Sequence, residues 1–323
     1  MKVLGIECTA HTLGVGVYDS TAKKVLANEM DTFRPPKGQG FLPRDLADHH
    51  AAFFAPVLRA ALEKAGLKLA DIDMISFSQG PGIGSPLAVG CAAAKYIAVK
   101  YNKPIVGVNH CHAHVAISKH SSGFRDPLVL YLSGGNSQII VQQNGYHVLG
   151  ETLDIGLGNL FDSFARGLGI ESHGAALAKF AEGGKYIELP YTVKGMNLVF
   201  SGLLTQAQKL AKQGNARDVA HSLMETSFAM SCEATERALF LTGKKQLLVC
   251  GGVAQNRRLQ EMLKMMCKED GVAFAVAPDE FNRDNGAMIA YTGYVMHSNA
   301  VKTRKEIEKI APMPNYRIDQ VKL

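Results

Sequence analysis

The chain has 323 residues, 47% of them hydrophobic and 20% charged, which suits two domains or one bilobal unit and excludes a disordered or fibrous polymer. A net charge of +6 and a pI near 8.9 permit a nucleic-acid partner without demanding one. Six scattered cysteines with no CxxC pair exclude a disulfide framework or a zinc ribbon. In chain order, residues 3–7 and 14–18 read as strands around a small, polar turn, and the opening MKVLGIECTA reads as a strand rather than a signal peptide. Residues 25–30 extend that sheet. A Pro/Gly-rich basic loop, RPPKGQGFLPR (34–44), leads into a helix over 45–65 with Pro56 as an expected kink. Then come a strand over 73–78, the glycine turn GPGIGSP (80–86), a helix over 87–100 and a buried strand over 105–108. No stretch reaches the length of a membrane span.

At Asp126 the pattern restarts. Residues 128–132, 138–142 and 146–151 repeat the strands of 3–30 around another turn of small residues, SGGN (133–136). The repetition of pattern predicts duplication of one unit. Downstream lie a helix over 158–168, a loop-rich stretch to Ser201, a long helix over 218–242 and a strand over 246–250. The turn GGV (251–253), a helix over 256–268, a strand over 273–277 and a helix from Ala287 complete the chain. Alternating strands and helices predict an α/β protein of two lobes with a central cleft. The expected lobes are 1–124 and 125–292, with 293–323 packing back on the first.

Three glycine turns follow strands: GPGIGS (80–85), SGG (133–135) and GGV (251–253). Glycine lets successive backbone N–H groups converge on an anion, and a helix N-terminus adds a favourable dipole. Each turn alone also reads as plain structure; together they favour a bound nucleotide. Neither GxxxxGK[ST] nor a GxGxxG opening a helix occurs, which excludes a P-loop and a Rossmann site.

GVNHCHAHVA (107–116) concentrates histidines. If His110 begins a helix, His114 lies one turn on, on the same face, where two imidazoles can share a metal. The cluster also reads as a histidine-rich bend without a metal; His112 points elsewhere and reads as surface or packing filler, and Cys111 also diverges. No glutamate stands between the pair, so the HExxH base of zinc proteases is missing. Asp284, in NRDNGAM, and Tyr131, before SGG, are the remote candidates to complete the set. Imidazole, carboxylate and phenolate suit iron or zinc.

VNHCxAH, YLSGGNSQ, GETLDIGLGN, the FDSFAR helix, ELPYTVKGMN, FSGLLT, CGGVAQN and RDNGAMIAYTG occur in this order along nearly the whole chain. Together they resemble the tRNA N6-adenosine threonylcarbamoyltransferase family, the catalytic subunit of the KEOPS complex, formerly called O-sialoglycoprotein endopeptidase. TAHT and GFLPRDLADHH are similar to its archaeal and eukaryotic branch. The resemblance implies the ASKHA fold of actin, sugar kinases and heat-shock chaperone ATPases. It implies transfer of threonylcarbamoyl from its adenylate to N6 of the adenosine 3′ of the anticodon in ANN-decoding tRNAs. It implies His110, His114, Tyr131 and Asp284 as metal ligands. Tyr131, Leu132, Ser133, Gly134, Gly135, Asp162, Gly174 and Asn256 match the nucleotide-binding positions. Also implied are one Fe or Zn ion per subunit, Mg with the nucleotide, and ATP or AMP as further nucleotides. Implied partners are tRNA, a small KEOPS kinase/ATPase subunit, a small dimerising KEOPS subunit, and a separate synthase supplying the adenylate. A cytoplasmic location and no membrane partner go with this. No residue is singled out as the acceptor of the amine proton.

The chain departs from the family pattern in places. ESHGAALAKF (171–180) stands where the family has PGGPxIE, so its glutamate would fall at Ala178 or Lys179. Asn197 replaces the aspartate of KGMD, and Cys8 replaces a glycine. One lost charge-assisted hydrogen bond costs about 1.5–3 kcal/mol, so adenylate binding is expected to weaken or rearrange. A degenerate, non-catalytic scaffold is the alternative reading, against which the intact metal set speaks. A small-molecule kinase of the same fold would need neither the histidine pair nor RDNG. Arg34, Lys37, Arg44, Lys302, Arg304 and Lys305 are candidate guides for tRNA or simply solvated charges.

Overall fold

The structure, a computed structural model, describes residues 1–35, 40–171 and 174–322. Lys37, and Ser172 and His173 of ESHGAALAKF, lie outside the described residues. The strands are β1 (Lys2–Glu7), β2 (Thr12–Asp19), β3 (Lys24–Thr32), β4 (Met74–Gly80), β5 (Ile105–Asn109), β6 (Leu128–Leu132), β7 (Ser137–Gln142), β8 (Tyr146–Glu151), β9 (Val193–Lys194), β10 (Asn197–Leu198), β11 (Gln246–Cys250) and β12 (Ala273–Val276). The helices are α1 (Pro43–Ala65), α2 (Gly84–Lys100), α3 (His110–Ser122), α4 (Leu157–Gly167), α5 (Gly174–Ala181), α6 (Ser201–Ala211), α7 (Ala216–Thr242), α8 (Arg257–Glu269), α9 (Asp279–Asn282), α10 (Gly286–Val295) and α11 (Arg304–Lys309).

Two compact units carry these elements. The first holds Met1–Pro35, Gly40–Ile117 and the chain from Arg283 onward. Its five-stranded sheet runs β3-β2-β1-β4-β5. β1 and β2 pair antiparallel, as do β2 and β3, whereas β4 and β5 join in parallel. Parallel neighbours need a crossover, and α1 and α2 supply them. Five of the six residues of β1 are buried, so both faces of the sheet are covered and the strand reads as a continuous apolar run. One cover is α10. Gly5 and Gly16 let its backbone settle on the sheet: a Cβ on Gly16 would lie 2.3 Å from the Ala287 nitrogen, and one on Gly5 2.2 Å from that of Ala290. This packing of α10 on β1 and β2 places the chain in the first unit from Arg283 onward, where 293 was expected.

The second unit spans Ser118–Asn282, starting within α3. Its sheet runs β8-β7-β6-β11-β12, the same wiring: an antiparallel meander extended by parallel strands. The duplication predicted from the pattern is thus one of topology. Its core gathers Phe161, Phe164, Phe200 and Phe228 around α4 and α7, with Phe161 and Phe228 edge to face at 5.6 Å. α1 continues through Pro56. The stretch expected as loop up to Ser201 holds α5 and the short β9–β10 hairpin, with α6 starting at its end. Asp154 nucleates α6 from a distance: its Oδ2 accepts from Ser201 N–H at 2.7 Å and its Oδ1 from Phe200 N–H at 3.0 Å. Asp154→Ala is expected to lower stability by about 0.5–2 kcal/mol, read as a lower urea midpoint at unchanged slope. No helix among the described residues is long and apolar enough to cross a membrane.

Candidate metal centre and nucleotide loops

β5 delivers the chain to α3 without a linker. Asn109 caps that helix: its Oδ1 accepts from His112 N–H at 3.0 Å. His110 and His114, one turn apart, present their rings 4.8 Å from each other, edge to face. Asp284 precedes α10, whose cap is Asn285, accepting from Met288 N–H at 2.9 Å. Asp284 Oδ1 lies 3.3 Å from His110 Nε2 and 3.3 Å from His114 Nε2. One ligand atom from each of the three lies within 4.8 Å of the others. His112 and Cys111, though buried, are not part of that group.

A fourth residue, absent from the sequence reading, organises the group. Glu7 ends β1 fully buried, with Oε2 3.0 Å from His110 Nδ1. Its Oε1 accepts from Thr9 N–H at 2.7 Å and from Thr9 Oγ1 at 2.5 Å. A carboxylate on the outer nitrogen fixes the tautomer and orientation of an imidazole and leaves the inner nitrogen to face a metal. The electrostatics follow. Burial opposes charge on His110, but Glu7 and Asp284 outweigh it and hold the imidazole well above its ordinary range. Burial favours a neutral Asp284, yet His110 and His114 hold it well below the usual carboxylate range. For His114 burial wins, and its titration is lowered. The only trace of Glu7 in the sequence is an acid closing an otherwise apolar strand.

In the second unit Tyr131 and Leu132 are buried within β6, so the open part of the expected nucleotide stretch is Ser133–Gly135. Ser133 N–H and Oγ both donate to the Asn136 carbonyl, at 2.7 and 3.0 Å, and Asn136 N–H donates back to Ser133 Oγ at 3.1 Å. The turn sits on the start of α4: Gly158 N–H donates to the Ser133 carbonyl at 3.2 Å, and Asn159 N–H to that of Gly134 at 2.9 Å. The exposed Gly134 and Gly135 N–H groups find no acceptor among the described residues, the condition for an anion cradle. A Cβ on Gly158 would lie 2.7 Å from Gly134 Cα. Gly158→Ala is therefore expected to lift the turn and to cost about 1–3 kcal/mol of stability, read by calorimetry.

Asp162, on α4, has its carboxyl pushed up to about 6 by burial, which Arg166 only partly opposes. Gly251 holds φ +97°, and a Cβ there would lie 2.3 Å from the Leu132 carbonyl, so GGV leans on β6 as bare backbone. Asn256 caps α8, accepting from Leu259 N–H at 3.2 Å. Gly174 opens α5 with nothing within 4 Å of where a Cβ would stand. Ala178 packs on the core beside it, and Lys179 is exposed. Asn197 accepts from Glu151 N–H at 3.0 Å. GPGIGS is a structural turn: Gly82 N–H donates to the Pro314 carbonyl at 3.1 Å and Ile83 N–H to that of Thr9 at 2.8 Å. Cys8 fills the space that a Cβ on Gly90 would need, 2.8 Å from its own Cβ. Arg34, Lys302 and Lys305 are exposed, while Arg44 and Arg304 pair with Asp48 and Glu308 at 3.7 and 3.0 Å.

Among solved structures the chain is similar to T. kodakarensis HypF (TM-score 0.65, 14% identity, covering 92% of this chain and 48% of that one). It is also similar to Acidaminococcus fermentans (R)-2-hydroxyglutaryl-CoA dehydratase component A (TM-score 0.53, 15% identity, covering 96% and 100%). With the shared sheet wiring, these likenesses define an ASKHA-type α/β protein.

Residues 24–291 match the family described as tRNA N6-adenosine threonylcarbamoyltransferase. A tRNA N6-adenosine threonylcarbamoyltransferase of Thermococcus kodakarensis is 52% identical, covering 100% of this chain and 99% of that protein. One of Archaeoglobus fulgidus is 46% identical, covering 100% and 99%. The chain belongs to the tRNA N6-adenosine threonylcarbamoyltransferase family. The donor set of the first unit fits a resident metal of that family: two imidazoles and a carboxylate converge, and Glu7 orients one of them. Tyr131, which the resemblance adds to the ligands, belongs to the second unit.

Proposed function

We propose that this chain transfers the threonylcarbamoyl group from threonylcarbamoyl-adenylate to N6 of the adenosine 3′ of the anticodon in ANN-decoding tRNAs. The observation that carries the reading is identity of 52% along the full length of a relative bearing that name. In the transfer the exocyclic amine attacks the carbamoyl carbon. A C–N bond forms, the C–O bond to the phosphate breaks, AMP leaves with the bonding pair, and the amine gives up one proton. Activation is already present in the mixed anhydride, so the protein's work is to bind, orient and stabilise charge.

The N–H groups of Gly134 and Gly135 are the proposed donors to the adenylate phosphate. Asp162, Gly174 and Asn256 are the proposed contacts to the rest of the nucleotide, which ATP or AMP with Mg would share. His110, His114 and Asp284 would hold one iron or zinc ion, with Tyr131 as a further ligand. Such an ion, when bound, polarises a carbonyl oxygen or orients the group. Glu7 holds the His110 ring by its outer nitrogen. The proposed partners are the small KEOPS kinase/ATPase, the small dimerising KEOPS subunit, the adenylate synthase and tRNA, in the cytoplasm. Arg34, Arg44, Lys302, Arg304 and Lys305 would contribute to tRNA binding through phosphate contacts, each weakening binding without changing tRNA choice when removed.

The test supplies the chain with the adenylate synthase, both small subunits and an ANN-decoding tRNA, and reads nucleosides by mass spectrometry. Modified adenosine is expected with that tRNA and none when guanosine replaces the target base. Absence of product with tRNA and partners bound would overturn the transferase in favour of a scaffold.

A further inference from the structure

We propose that the C-terminal segment 311–317 is a strap that sets the position of the metal histidines, acting through Asn109 as a positioning residue. The inference rests on the reading of His110 and His114 as metal ligands.

Asn109 is completely buried and is the last residue of β5, directly before His110. Both ends of its amide are engaged. Oδ1 accepts from His112 N–H at 3.0 Å and so fixes the first turn of α3. Nδ2 donates to the Tyr316 carbonyl at 2.8 Å. A buried amide bonded at both ends cannot rotate without stranding a polar group. The carbonyl of Tyr316 therefore sets the amide, the amide sets the first turn of α3, and that turn carries His110 with His114 one turn on.

The strap is well placed to hold such a register. Gln79 Nε2 donates to the Ala311 carbonyl at 2.9 Å, and Met313 N–H donates to that of Gln79 at 2.7 Å. Gly82 N–H donates to the Pro314 carbonyl at 3.1 Å, and Tyr316 N–H closes a turn on that of Met313 at 3.0 Å. Gly80 lets the strap lie directly on the end of β4, since a Cβ there would come within 1.8 Å of the Met313 oxygen. Just before the strap, Lys95 Nζ donates to the carbonyls of Glu308 and Ile310, each at 3.0 Å. No residue of 311–317 belongs to the ligand group or to the nucleotide loops. The segment thus has extensive main-chain anchoring and one side-chain link into the site.

Two variants test the strap: Asn109→Asp, and a chain ended after Ile310. The Asn109→Asp substitution keeps a cap oxygen for His112 while turning a second oxygen on the Tyr316 carbonyl. The truncation changes no residue of α3, although it also removes the buried Ile318 and Val321 beyond the strap. Zinc affinity is measured by competition with a chelator, and amide exchange is followed in the metal-free protein. Both variants are expected to bind zinc roughly 10- to 100-fold more weakly and to exchange the first turn of α3 faster without metal. Wild-type zinc affinity and wild-type α3 exchange in Asn109→Asp would overturn the strap, as would the same result in the truncated chain. If the truncated chain does not fold, Asn109→Asp decides alone. If the wild type binds no zinc, the ligand reading fails, and the metal-free exchange comparison still decides whether the strap holds α3.

Discussion

Replacing His110 and His114 together by alanine is expected to abolish metal retention and to lower threonylcarbamoyl transfer by at least about 100-fold, the scale of losing a principal charge stabiliser. The two imidazoles supply two of the three converging ligand atoms, and Asp284 alone cannot close a site. The double substitution also carries a structural cost. Glu7 would keep only its bonds to Thr9 while remaining fully buried, and Asp284 would lose the charged His110 and its contact with His114. Leaving buried charge unpaired costs about 3–5 kcal/mol, so the variant should melt earlier while retaining its circular dichroism spectrum. Adding Glu7→Gln should restore part of that stability and none of the metal. Metal content equal to wild type in the double variant, read by elemental mass spectrometry, would remove these residues from the ligand set.

Asp162→Asn should act in opposite directions on stability and on binding. The folded carboxyl titrates at about 6, above the 3.8 of an unperturbed aspartate, because burial disfavours its charge. A raised carboxyl makes the free protein most stable below the unfolded value, and that stability is lost as pH rises towards 6. Asparagine removes the penalty. The variant should therefore be more stable than wild type at pH 7, by on the order of 1–3 kcal/mol, with the difference vanishing near pH 4. Nucleotide affinity should fall by roughly 10- to 100-fold if the ionised carboxylate receives hydrogen bonds from the ligand. Wild-type affinity should fall in the same way as pH drops below 6. Thermal melts and calorimetric titrations across pH 4–8 read both effects; a stabilised variant with unchanged affinity would make Asp162 a mere buried acid.

The part of the candidate site carried by local spacing was legible in the sequence. His110 and His114 share a helix face because they are four residues apart, and the strand before them fixes where that helix begins. Asp284 stood out as an acid in a polar turn before a helix. Glu7 did not, because its role depends on pairing across 103 positions with a ring whose orientation only the fold defines. The same reason hid α6. Its N-terminus is satisfied by Asp154, 47 positions upstream of Ser201, so no local cap announces it. α5 is eight residues long, too short for a periodicity to emerge. GPGIGS was ambiguous as sequence, since a glycine turn that admits a phosphate and one that admits another backbone look alike. The structure fills it with Thr9 and the C-terminal strap. The duplicated hairpins, by contrast, were visible as pattern, and both sheets have the order that pattern implies.

The transfer is measured most directly in a single turnover with preformed threonylcarbamoyl-adenylate, the chain and the two proposed small subunits in excess over an ANN-decoding tRNA. AMP and modified adenosine are counted in the same quench. Each modified adenosine should appear with one AMP beyond the hydrolysis seen without tRNA. AMP release that tRNA does not increase, with no modified adenosine formed, would contradict the proposed transfer.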